Sequence, residues 1–190
     1  MSRDERESFT YREGLFTPAQ TAACTGLSPA MQRNWRQAEH IAERKTEVAL
    51  FSPRDLAAIR IMVVLRDVGL GPALSRPIAE RAASSVIWLA LVKYPETWTV
   101  SGDPEVAAAY RDRLDRNSDR HLREMACLTA SPALYGIAQG KIVHFLTELD
   151  ETAFDEDDEV ETVIKFGAVA QRIAKAATQP LMTVIAPSRL

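Results

Sequence analysis

The sequence predicts a mainly α-helical chain with a small α+β part at its C-terminal end. Three observations lead there. A capping residue followed by proline recurs at Thr17-Pro18, Ser28-Pro29, Ser52-Pro53 and Asp103-Pro104, and each pair is a helix-start signal. Between Leu56 and Tyr94 the apolar residues recur at helical spacing. From Ala133 onward the spacing shortens toward alternation, the mark of strands.

Met1–Glu13 is charged and polar and reads as a loose tail, with Phe9 and Tyr11 able to pin its end to the body. Phe16–Arg36 is the stretch around which the later elements are arranged. Thr17 is an N-cap and Pro18 occupies the first helical position, where its missing N–H costs nothing. Ala22, Ala23 and Cys24 give this helix a small apolar surface. Gly26 then permits the positive φ of a tight turn. Ser28-Pro29 opens a second helix carrying Gln32, Arg33, Asn34 and Arg36, side chains able to reach base edges and phosphates. Two short helices, a glycine turn and a polar second helix describe a helix-turn-helix. Gln37–Leu50 reads as a wing with Arg44-Lys45-Thr46 at its tip, aimed at phosphates.

The combination resembles the DNA-binding domain of the MerR family of transcriptional regulators. The matching residues are Phe16-Thr17, Ala22, Thr25-Gly26-Leu27-Ser28-Pro29 and Arg33-Asn34-Trp35, then Phe51-Ser52, Asp55-Leu56 and Leu65-Arg66-Asp67-Val68-Gly69. Together they cover about residues 14–72. Two departures stand out. Val48-Ala49-Leu50 replaces the Gly-Tyr-Arg-like end of the family's wing, and Asn34 stands where the family most often has tyrosine.

The later elements obey the same rules. Ser52-Pro53-Arg54-Asp55 opens a helix with Leu56, Ile59 and Val63 on one face, ended by Gly69-Leu70-Gly71-Pro72. Ser75–Tyr94 is a further helix, and its Val86–Val92 run is apolar almost all round, so it is buried or lies in an interface. Asp103-Pro104 caps a long polar helix running to about Cys127, with arginines alternating against acids from Arg111 to Glu124. Ala133–Ala138 and Ile142–Thr147 flank Gln139-Gly140-Lys141 as a β-hairpin. Val160–Lys165 is a strand or a helix start, Phe166–Ala177 is helical, and Leu181–Ala186 is a strand. The expected division is a tail (1–13), a winged helix-turn-helix (14–72), a central helical segment (73–128) and a small α+β domain serving dimerisation or regulation (129–190).

The net charge of −3 argues against a general polyanion binder. The negative charge is localised, however: Glu148–Glu161 holds nine acids and no base. Phe16–Arg60 leans positive. The acidic stretch lacks the glycine and the ligand spacing of a calcium loop and reads as a solvated segment. Cys24 reads as core, and Cys127 as either buried or a lone thiol; neither makes a disulfide framework. His40, His121 and His144 are too scattered for a metal site. Trp88, Trp98 and Tyr94 read as aromatic core rather than as a ligand pocket. There is no phosphate-binding glycine loop or nucleophile elbow, so an enzyme and a cofactor are not expected. No signal-peptide core or membrane-length run is present, and a cytoplasmic location is expected.

The MerR resemblance implies a transcriptional regulator, of bacterial or phage type, that binds double-stranded DNA. A homodimer on an inverted repeat is expected, because one winged module reads few bases. The assigned DNA contacts are Thr17, Ser28, Gln32, Arg33, Asn34, Trp35, Arg36, Arg44 and Lys45. Gln32, Arg33 and Asn34 would face bases; Arg36, Arg44 and Lys45 would face phosphates. Ser28 and the helix end it caps could hold a further phosphate. The family's metal-binding cysteines have no counterpart here, and any small-molecule or protein effector is left open. With a poor heptad pattern, dimerisation falls to Val86–Val92 or the C-terminal sheet. Two other readings are an architectural DNA-binding protein, such as an excisionase or a phage packaging DNA-recognition subunit, and a protein-interaction module that has lost DNA binding.

Overall fold

The structure is a computed structural model that describes residues 10–41, 49–116, 118–139, 142–148 and 161–186. It is mostly helical, with two three-stranded sheets. Helix α1 is Pro18–Thr25 and α2 is Pro29–Gln37. Helix α3 is Pro53–Asp67 and α4 is Pro72–Lys93. Each of the four begins with proline in its first turn; α1, α2 and α3 start where the sequence predicts, whereas α4 starts at Pro72, before the expected Ser75. Thr17 and Gln20 form a reciprocal capping box on α1, and Ser52 and Asp55 form another on α3.

Helix α3 is buried nearly all round through Leu56, Ala57, Ile59, Ile61, Met62, Val63 and Leu65. It packs against α1 and α4. Helix α7, Phe166–Ala176, lies across α1, α3 and α4 and adds Phe166, Val169, Ala170 and Ile173 to the same core. The boundary expected at residues 128 and 129 therefore does not separate two packing units. One continuous core runs from Phe16 to Val184.

Three expectations change at this level. Thr10–Glu13 is not tail but a strand, β1. Leu181–Ala186 does contain a strand, β6 (Met182–Ile185), yet it does not join the C-terminal hairpin. It runs between β1, antiparallel, and β2 (Trp98–Ser101), parallel, with Thr10 opposite Ile185 and Trp98 opposite Met182. Of the long polar helix, Pro104–Arg116 (α5) and Ser118–Met125 (α6) are helical, and the residue between them lies outside the described residues. Most of the Val86–Val92 run is spent inside the chain: Val86, Ile87, Leu89, Ala90 and Leu91 are buried where α4 meets α3, α6 and α7, while Trp88 is partly buried and Val92 exposed. That run is not the dimer surface expected of it.

The hairpin forms as expected from β3 (Tyr135–Gln139) and β4 (Ile142–Leu146). The ambiguous segment is a strand, β5 (Glu161–Lys165), pairing with β3. Residues 149–160 of the acidic stretch, Phe9, and the wing tip Arg44-Lys45-Thr46 lie outside the described residues.

Gly14 joins the two ends of the chain. Its N–H donates to the Leu181 carbonyl at 2.7 Å. A Cβ at Gly14 would stand 2.4 Å from the Pro180 carbonyl oxygen, inside contact distance of backbone that has little freedom to move. Gly14→Ala should therefore destabilise the fold by about 1–3 kcal/mol. Urea unfolding checks this, with a lower midpoint and an unchanged slope as the expected result. An unaltered midpoint would mean that the two termini are not held this closely.

Candidate nucleic-acid interface

The α1–α2 pair is built from local rules. Gly26 adopts φ 80°, the left-handed conformation that closes α1, and its N–H donates to the Ala22 carbonyl. The buried Thr25 hydroxyl donates to the Thr21 carbonyl at 2.7 Å and accepts from the Leu27 N–H at 3.2 Å. Leu27 and Cys24 are fully buried beneath the turn. Cys24 is thus core, as expected, and burial pushes its thiol pKa up. The inner face of α1 is Thr21, Cys24 and Thr25; Ala23, expected within the apolar surface, is exposed.

Arg60 of α3 supports the turn from below. Its Nη1 donates to the Thr25 carbonyl at 3.1 Å. Burial lowers its pKa from the ordinary guanidinium value, and the nearby positive Arg172 lowers it further. The charge is held there because the turn's carbonyl needs a donor that water cannot supply.

On α2, Ser28 is the N-cap, and its hydroxyl accepts from the Met31 N–H at 3.3 Å. Helical geometry then sorts the assigned contact residues. Arg33 and Asn34 are exposed on the outer face with Pro29, Ala30 and Gln37. Arg36 is partly buried, its guanidinium lying 5.6 Å from the centre of the Phe51 ring. Thr17 is exposed, but its hydroxyl is engaged in the capping box with Gln20.

Gln32 and Trp35 depart from the assignment. Gln32 is fully buried and donates through Nε2 to the carbonyls of Pro18 at 3.0 Å and Leu27 at 2.8 Å. It ties α2 to the start of α1 and cannot face bases. Trp35 is 4% exposed and belongs to the core. The reason is positional: residues three apart share a helix face, and a large indole is stabilised by burial. Trp35 turns inward and carries Gln32 with it. Arg44 and Lys45 lie outside the described residues; of the other assigned residues on α2 and its cap, Ser28, Arg33 and Asn34 are exposed and Arg36 partly so, with Gln37 exposed beside them.

Several contacts fix α2 to the body. Phe16 and Phe51 exchange backbone hydrogen bonds at 2.9 Å in an isolated antiparallel bridge, closing the segment between them. At the C-terminal exit of α2, Glu39 takes φ 58° and its carbonyl accepts from Arg76 of α4. Gln20 donates to the Thr178 hydroxyl at 2.9 Å, and Gln179 donates to the Leu15 carbonyl at 2.6 Å. The segment after α7 thus grips the start of α1, a long-range link that no local pattern announces.

The tryptophans outside α2 serve ordinary packing. Trp98 is buried with the Arg111 guanidinium 5.0 Å from its ring centre, and Trp88 is partly buried with Arg123 at 5.9 Å. Two of the alternating arginines therefore cover aromatic core. Cys127 is exposed at φ 52°, with its sulfur 3.9 Å from the Tyr11 hydroxyl. No cluster of three or more histidine, cysteine or acidic side chains suited to a metal occurs among the described residues. No described helix is long and apolar enough to cross a membrane.

Compared with known proteins, the chain matches no family model and no curated relative.

Proposed function

We propose that the protein is a sequence-specific DNA-binding regulator that presents α2 to the major groove. The observation that carries this reading is the division of α2 into two faces. Gln32 and Trp35 anchor it from within, while Arg33, Asn34 and Gln37 are exposed on the outside. An exposed arginine and asparagine one residue apart, on a helix whose rear is fixed at both ends, are suited to reading guanine and adenine edges. The capped N-terminus at Ser28 supplies backbone N–H groups for a phosphate. The residue pattern shared with the MerR family supports the same direction.

Two copies on an inverted repeat complete the proposal, since one short helix reads too few base pairs to find a site. Selection from random double-stranded DNA with the purified full chain tests it. The expected result is one enriched motif made of two inverted halves, spaced about one helical turn or a multiple of it. Enrichment of phased direct repeats would replace regulation with an architectural role. No enrichment at low salt would overturn DNA reading by this surface.

A further inference from the structure

We infer that a second surface, a cleft of about 480 Å³ between the first turn of α3, the middle of α4 and the loop after α6, binds a small oxyanion ligand carrying a carboxylate or a phosphate. The volume falls within the range of small-molecule sites, roughly 300–1,000 Å³. The cleft shares no residue with the DNA-reading face of α2, and its ligand does not depend on DNA binding.

The lining has the chemistry of an anion site. Arg54 enters from α3 and Arg81 from α4. Neither guanidinium has a carboxylate partner among the described residues, and no described acidic side chain lines the cleft. Three other arginines are paired: Arg66 with Asp67 at 2.7 Å, Arg76 with Glu80 at 2.7 Å, and Arg120 with Glu124 at 3.4 Å. Hydroxyls fill the rest of the polar wall, among them Ser84, Thr129 and Ser131.

Arg81 is also oriented. Its guanidinium lies 5.1 Å from the centre of the Phe145 ring, and stacking of this kind holds the planar fork at a defined angle. A fork held that way can offer two parallel N–H groups to one carboxylate or phosphate. The opposite wall is fixed as well. Ser85 accepts from the Ala133 N–H at 3.1 Å, and Arg123 donates to the Ala130 carbonyl at 3.4 Å, so the loop over the cleft is tied to α4 and α6. An oxyanion reaching both arginines would join α3 to α4 beside the hairpin.

The test is an amide-shift titration of the full chain with inorganic phosphate and, separately, with succinate, at constant ionic strength and up to about 20 mM. Succinamide and sodium chloride serve as neutral and simple-ion controls. The expected result is a saturable shift at Arg54, Ser84, Ser85 and Thr129–Ser131 with at least one oxyanion. The arm that saturates at lower concentration tells a phosphate ligand from a carboxylate ligand. Arg81→Met should weaken that binding about tenfold or more, the equivalent of one charged hydrogen bond. Arg81 is exposed, so this variant keeps the fold, and an unchanged melting curve verifies that. Arg54→Met should weaken binding in the same direction. No saturable shift with either oxyanion, equal shifts with chloride, or an unaltered dissociation constant in Arg81→Met would each overturn the inference.

Discussion

Under the proposed reading, Arg33→Ala should lower affinity for the selected DNA site about 10- to 100-fold and leave the unfolding midpoint where it was. The affinity loss corresponds to one bidentate contact to guanine, roughly 1–3 kcal/mol. The midpoint is unaffected because Arg33 is exposed and belongs to no ion pair among the described residues. Electrophoretic or fluorescence titration against the selected site and a scrambled one reads the first quantity, and urea denaturation reads the second. The loss should be confined to the selected site. A similar fall on both DNAs would mark Arg33 as a phosphate contact. Unchanged affinity on both would remove α2 from the interface.

Trp35→Ala produces the opposite pattern. Its neighbour two positions away faces solvent, but Trp35 itself is 4% exposed within the core. Truncating a buried tryptophan costs about 3–5 kcal/mol, a large part of the roughly 5–15 kcal/mol that holds a domain together. The variant should unfold at markedly lower urea, and DNA binding should vanish with the fold. If Trp35→Ala unfolds near the wild-type midpoint, the rear of α2 is not anchored as described. The pair of variants separates reading from support on one nine-residue helix.

The starts of α1 to α3 are legible in the sequence because each is written locally, by a hydroxyl cap followed by proline; α4 starts at Pro72, before the expected Ser75, because Gly71 offers no side-chain cap to mark it. Gly26 is legible for the same reason, since a positive φ leaves few residue choices. The β1–β6–β2 sheet is not. Thr10 pairs with Ile185, and Trp98 with Met182, and neither strand is long enough to show alternation by itself. Polarity misleads at Gln32, although a signal is present. With Trp35 the one large aromatic residue of α2, the residue three places before it shares the inner face and must turn inward too.

The cleft at Arg54 and Arg81 is beyond the sequence altogether. Its walls come from α3, α4, the loop after α6 and the end of β4, and only packing brings them together. No motif spans such a set, and each arginine alone reads as surface charge.

The placement of β6 between β1 and β2 has a consequence for biosynthesis. A ribosome releases β1 (Thr10–Glu13) long before β6 (Met182–Ile185), the strand it pairs with. Such distant pairing slows folding, because a very long loop must close before any hydrogen bond rewards it. During translation the nascent N-terminal strand waits unpaired, and the helices must gather before it can dock. Emergence of β6, rather than of α1 and α2, is then the event that locks this sheet.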